Sequence, residues 1–92
     1  MDGTMGSMEA TTKDQAVGKK LRGLRAEKGM SQEDLAKLSG ISESAIFRIE
    51  KGERSPRLGQ LDALCDALEI DLYDFLVLAL GKPVPPPTPS AE

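Results

Sequence analysis

The sequence predicts an all-α fold of five short helices, on three observations. Apolar residues recur three and four positions apart in successive stretches, the period of an amphipathic helix. Gly29, Gly40, Gly52 and Gly81 close four of those stretches, where a residue without Cβ can take the left-handed backbone of a helix end. Strand-type alternation and internal repeats are missing, and aromatics make up only 3% of the chain, which disfavours a sheet.

The first helix is expected to open at Thr12, with Gln15 at capping-box spacing. Val17, Leu21 and Leu24 form its apolar stripe, and Lys19, Lys20 and Arg22 lie on or beside its outer face. Ser31 caps the second helix, with Glu33 and Asp34 in the first turn, where acids suit the positive end of the dipole. Leu35 and Ala36 give that helix its inner side, and Gly40 breaks it. Ile41 fills the corner, Ser42 caps a third helix, and Ile46 and Ile49 face inward until Gly52. A helix, a Gly-containing turn and a helix of these lengths match the helix-turn-helix, whose second helix can lie in the major groove of DNA.

Ser55-Pro56 predicts the start of the fourth helix, serine capping and proline taking the first helical position. Its buried stripe is Leu58, Leu61, Leu64, Cys65 and Leu68. Asp71 caps the fifth helix, which runs through Leu80 with Asp74 three residues past the cap. If Leu72, Phe75, Leu76 and Ala79 point into the core, Val77 and Leu78 point elsewhere. A spare apolar patch on a small domain marks a protein contact, so Val77, Leu78 and Leu80 are expected to pair two copies about a two-fold axis. One domain over residues 12–81 results, between a disordered leader (1–11) and a Pro-rich disordered tail (82–92).

Composition removes most other chemistry. With no histidine, the commonest general base and metal ligand is lacking, along with every Ser-His or Cys-His arrangement. A single cysteine can build neither an internal disulfide nor a zinc site, and Cys65 lies between leucines as a core residue would. The expectation is a non-enzyme with no metal, no cofactor and no small-molecule ligand. No apolar run approaches the ~20 residues of a membrane span and no signal peptide opens the chain, so the expected location is the cytoplasm, without membrane contact. The net charge of −3 is unevenly spread. Residues 19–57 hold ten bases and six acids, a net +4, whereas residues 58–81 hold five acids and no base.

With these residues placed, residues 17–80 closely resemble the lambda repressor-like helix-turn-helix family, of Cro or Xre type. Several features coincide: the run LRGLRAEKGMSQEDLAKLSGISESAIFRIEKGERSP, the leucine-rich fourth helix and the DLYDFL that opens the fifth. The resemblance implies a five-helix DNA-binding domain with its helix-turn-helix at helices two and three. It implies base contacts from Ser42, Glu43, Ser44, Phe47 and Arg48, and phosphate contacts from Lys20, Gln32, Arg54 and Arg57. It also implies a buried structural salt bridge between Arg25 and Glu50. Arg48 suits a guanine edge or a phosphate, Glu43 a cytosine amino group, and Phe47 a thymine methyl or a protein. The function implied is a bacterial or phage transcriptional regulator, a repressor that binds a palindromic site on double-stranded DNA as a homodimer. The alternative is a protein-interaction module of the same fold, an antitoxin or antiactivator. Its support is the acidic total, Glu43 and Phe47 on the would-be DNA face, and the spare apolar surface.

Overall fold

A computed structural model describes residues 12–81 of the 92-residue chain. Five helices follow one another: α1 (Thr12–Glu27), α2 (Gln32–Ser39), α3 (Glu43–Glu50), α4 (Leu58–Ala67) and α5 (Leu72–Leu80). The described residues contain no strand. The expected leader and Pro-rich tail lie outside them.

Each helix start has a local cause. At α2, Asp34 N donates to Ser31 Oγ and Ser31 N donates to Asp34 Oδ2, both at 3.0 Å, a reciprocal capping box. Those bonds from the Ser31 backbone and hydroxyl hold the Asp34 carboxyl below its ordinary range. Ser42 Oγ accepts from Ala45 N at α3, and Asp71 Oδ2 accepts from Tyr73 N and Asp74 N at α5. Between α2 and α3 the chain turns at Gly40 (φ 77°), whose amide donates to Ala36 O at 2.9 Å. A side chain is disfavoured in that backbone, which explains the glycine.

The start of α4 differs from the sequence expectation. The cap is Arg57, extended at φ −70° and ψ 155°, and Leu58 is the first helical residue. Gln60 Oε1 accepts from Arg57 N at 3.0 Å, which fixes the cap three residues before Gln60, and Pro56 holds Ser55 out of the helical region. The core does not reach this first turn: Leu58 is 70% exposed and drops out of the expected buried stripe. The other end of α4 has no glycine. Glu69 takes the left-handed conformation itself (φ 59°), and Ile70 N donates to Cys65 O.

Phe75, Leu21, Leu35, Ile46, Ile49, Leu64, Leu68 and Cys65 form the fully buried centre. α1 packs on α3 and α5, α2 on α3 and α4, and α4 on α5, so every helix contributes to one core. Burial, with Asp62, Asp66 and Asp71 nearby, pushes the Cys65 thiol up to about 11, so it packs as a small apolar group. Leu72, Leu76, Ala79 and Leu80 lie half-buried against this core, while Val77 and Leu78 are exposed.

Gly18 serves packing rather than a turn. A Cβ there would collide with Ile49 O and lie 2.8 Å from Glu50 O, so glycine lets α1 cross the C-terminal turn of α3 backbone to backbone. Gly23, one and a half turns later in the same helix, faces open space. The same substitution is therefore expected to act with opposite signs. Gly18→Ala should lower stability by about 1–3 kcal/mol through overpacking. Gly23→Ala should raise it by about 0.5–1 kcal/mol through helix propensity. Urea denaturation of the two variants measures both.

Candidate nucleic-acid interface

Helix α3 divides cleanly by its period. Ala45, Ile46, Ile49 and Glu50 are buried, and Glu43, Ser44, Phe47 and Arg48 are exposed, with the cap Ser42 exposed beside them. The five residues expected to touch bases thus share one solvent-facing surface. Gln32, at the start of α2, joins Glu43, Ser44 and Phe47 around one shallow depression. Lys51 Nζ stands 5.1 Å over the Phe47 ring and 3.4 Å from Glu53. Lys51 was not among the expected contacts, although its spacing of four from Phe47 on a helical stretch could have found it.

Behind this face lies a buried ionic cluster. Arg25 donates from Nε to Glu50 Oε2 at 2.7 Å and from Nη2 to Glu50 Oε1 at 2.9 Å, a bidentate pair. Its third nitrogen, Nη1, donates to Met30 O at 2.8 Å. Gln32 Nε2 donates to Glu50 Oε1 at 3.0 Å. The Glu50 side chain is 2% exposed and that of Arg25 15%. The bond to Glu50 is the main cause that raises the Arg25 guanidinium above its usual range. The cluster joins the end of α1, the start of α2 and the end of α3, and so fixes the angle at which α3 stands. One of the two Gln32 amide hydrogens is spent inward, which leaves the other for a ligand. Sequence reading missed this link, because a glutamine at a helix start carries no mark of its inward partner.

Arg54 and Arg57 are exposed in and after the loop that follows α3. Lys20 is placed differently. With Lys19 and Arg22 it rims a groove floored by Ala16, Gly23, Ala26, Leu78 and Ala79, between α1 and α5, and the structure does not bring it to the Gln32–Phe47 depression. Among the described residues, no group of three or more His, Cys, Asp and Glu is placed to hold a metal ion, and no helix is long and apolar enough to cross a membrane.

These features coincide with a known family. The helix-turn-helix family model matches residues 21–75, more than half of the sequence, and the chain belongs to that family, of Cro/Xre type. It is 38% identical over 60 residues to the HTH-type transcriptional regulator PuuR of Escherichia coli, an alignment covering 65% of this chain and 32% of that protein. It is 37% identical over 68 residues to the HTH-type transcriptional repressor RghR of Bacillus subtilis, covering 73% of this chain and 50% of that one. The chain therefore spans only a third to a half of these curated relatives. Among solved structures it resembles the clp gene regulator ClgR of Corynebacterium glutamicum (TM-score 0.73, 30% identity, 78% of this chain and 77% of that one). It also resembles the restriction-modification controller protein C.AhdI of Aeromonas hydrophila (TM-score 0.66, 39% identity, 67% and 94%).

Removing one partner of the cluster should cost more than removing both. Arg25→Met leaves the Glu50 carboxylate buried without its cation, for an expected loss of about 3 kcal/mol, the lower end for such pairs because Arg25 keeps some exposure. Arg25→Met with Glu50→Leu should recover a substantial part of that loss. Chemical denaturation of the single and double variants decides it.

Proposed function

We propose that the chain is a sequence-specific DNA-binding transcriptional regulator, acting as a repressor, that lays α3 in the major groove of a partly palindromic operator. The observation that carries this reading is the joint exposure of Ser42, Glu43, Ser44, Phe47 and Arg48 on a helix whose inner face is locked by the Arg25–Glu50–Gln32 cluster. Direct readout needs such a helix, with its side chains free and its backbone held. Arg48 supplies the strongest contact, bidentate to a guanine edge or clamped on a phosphate. Gln32, Arg54, Arg57 and Lys51 supply phosphate contacts that set register. Lys20, which lines the α1–α5 groove, is the flanking member of that set. The names of the regulators PuuR and RghR support a regulatory role, and that of RghR supports repression.

Two copies joined through the exposed Val77 and Leu78 of α5, with Leu80 at the rim, would present two recognition helices to grooves about 34 Å apart. The competing reading is an antitoxin- or antiactivator-like module that binds a protein through the same face. One observation favours it: Phe47, 47% exposed, and the acidic Glu43 sit where most DNA readers carry polar or basic groups.

Selection of bound duplexes from a random pool tests binding, symmetry and spacing together. Arg48→Ala should weaken the selected duplex at least tenfold. The log–log salt slope should steepen by about 0.9 for each phosphate engaged, and a flat salt titration would overturn the reading. Leu78→Asp should turn a dimer into a folded monomer in sedimentation equilibrium and weaken operator binding with it. A dimer that survives this change places the interface elsewhere.

A further inference from the structure

We propose that Glu43 and Phe47 together read one cytosine that carries a C5-methyl group, so that the chain distinguishes 5-methylcytosine from thymine and from unmodified cytosine. The inference rests on the DNA-binding reading above and names the base edge that α3 takes. Glu43 and Phe47 are exposed, stand four residues apart on one helix, and line the same shallow depression, walled otherwise by Gln32 and Ser44. Glu43 has no ion pair among the described residues.

The edge chemistry then selects the base. An ionised carboxylate only accepts hydrogen bonds. In the major groove, cytosine offers an amino donor at N4, where thymine offers the O4 acceptor. A carboxylate in the groove is therefore matched by cytosine and repelled by thymine. The phenyl ring needs the reverse, because the C5 methyl belongs to thymine and is missing from ordinary cytosine. Each common pyrimidine satisfies one of the two side chains and leaves the other unmatched. A methylated cytosine offers the donor at C4 and the methyl at the adjacent C5, the two features the depression places side by side. Lys51 Nζ, 5.1 Å over the Phe47 ring, steadies the ring at the edge of the depression.

The test uses two random duplex pools of equal length, one of them synthesised with 5-methylcytosine in place of every cytosine. The methylated pool should yield sites with one cytosine in each half, and restoring ordinary cytosine at that position should weaken binding about fourfold per methyl lost. Thymine there should weaken it at least fivefold. Phe47→Ala should abolish the methyl effect and keep the preference for cytosine over thymine, and Phe47→Leu, still apolar, should retain part of the effect. Glu43→Gln should remove the preference for cytosine, with circular dichroism checking that each variant is folded. Sites that prefer thymine at this position, or a cytosine whose methyl changes nothing, overturn the inference while DNA binding stands. If neither pool yields a site from folded protein, the DNA-binding reading falls and the inference falls with it.

Discussion

The Glu50 carboxylate is the constraint on which the rest of the structure depends. It is almost fully buried in a chain small enough that its stability should be only a few kcal/mol, so it must be neutralised where it sits. Arg25 and Gln32 do this from two other helices, and the same guanidinium closes the end of α1 by bonding Met30 O. An apolar contact would tolerate several crossing angles between α1, α2 and α3. A bidentate ion pair with a third donor tolerates one, because any slide breaks a bond to a charge that water cannot reach. The cluster therefore spends stability on geometry, and geometry is what a recognition helix requires.

Charge distribution answers the same requirement at longer range. The net charge of −3 disfavours general attraction to a polyanion, while the excess of cations in residues 19–57 and of acids in 58–81 orients whatever attraction remains. A protein of this kind gains little affinity from phosphates alone. On the proposed reading, specific contacts from Arg48, Glu43 and Phe47 would supply a larger share of binding, which would widen the gap between the right sequence and any other. The acidic α4–α5 half, with Val77 and Leu78 exposed, is the part the proposed pairing would turn away from DNA.

What could be read from sequence follows the range of the interaction responsible. Helix caps are local, and the parts played by Ser31, Ser42, Asp71 and the left-handed glycines follow from neighbours within four residues. The start of α4 is local too, yet Ser55-Pro56 and Gln60 give competing signals and the glutamine's bond to Arg57 N prevails. Leu58 belongs to the apolar stripe by spacing alone, and the core does not reach it. Gly18 and the Gln32–Glu50 bond were missed for another reason. Both depend on α3 arriving beside α1 and α2, 18 or more residues along the chain, and a spacing within one helix carries no trace of that arrival. The exposed set on α3 was legible because the 3.6-residue period alone separates it from the buried set. The place of Lys20 was not, since α1 packs on both α3 and α5 and its period does not say which partner a flank residue meets.

Gly18 and Glu50 act at the same end of α3, and this gives the recognition helix an uneven stiffness. At its C-terminal turn, the carbonyls of Ile49 and Glu50 lie against the α1 backbone at Gly18, and the Glu50 side chain is tied to two helices. At its N-terminal turn, α3 is held by the Ser42 hydroxyl, the Gly40 corner and half-buried Ile41, all of them local or partly solvated. Local openings draw on the less buried contacts first, so any adjustment to a ligand falls on residues 41–44 rather than on 47–51. Arg48 and Phe47 therefore sit on the anchored part of the helix, while Ser42, Glu43 and Ser44 sit on the less firmly held part. On the proposed reading, division of one eight-residue helix into a fixed half and an adaptable half would let the face settle against a groove edge without disturbing the core that orients it.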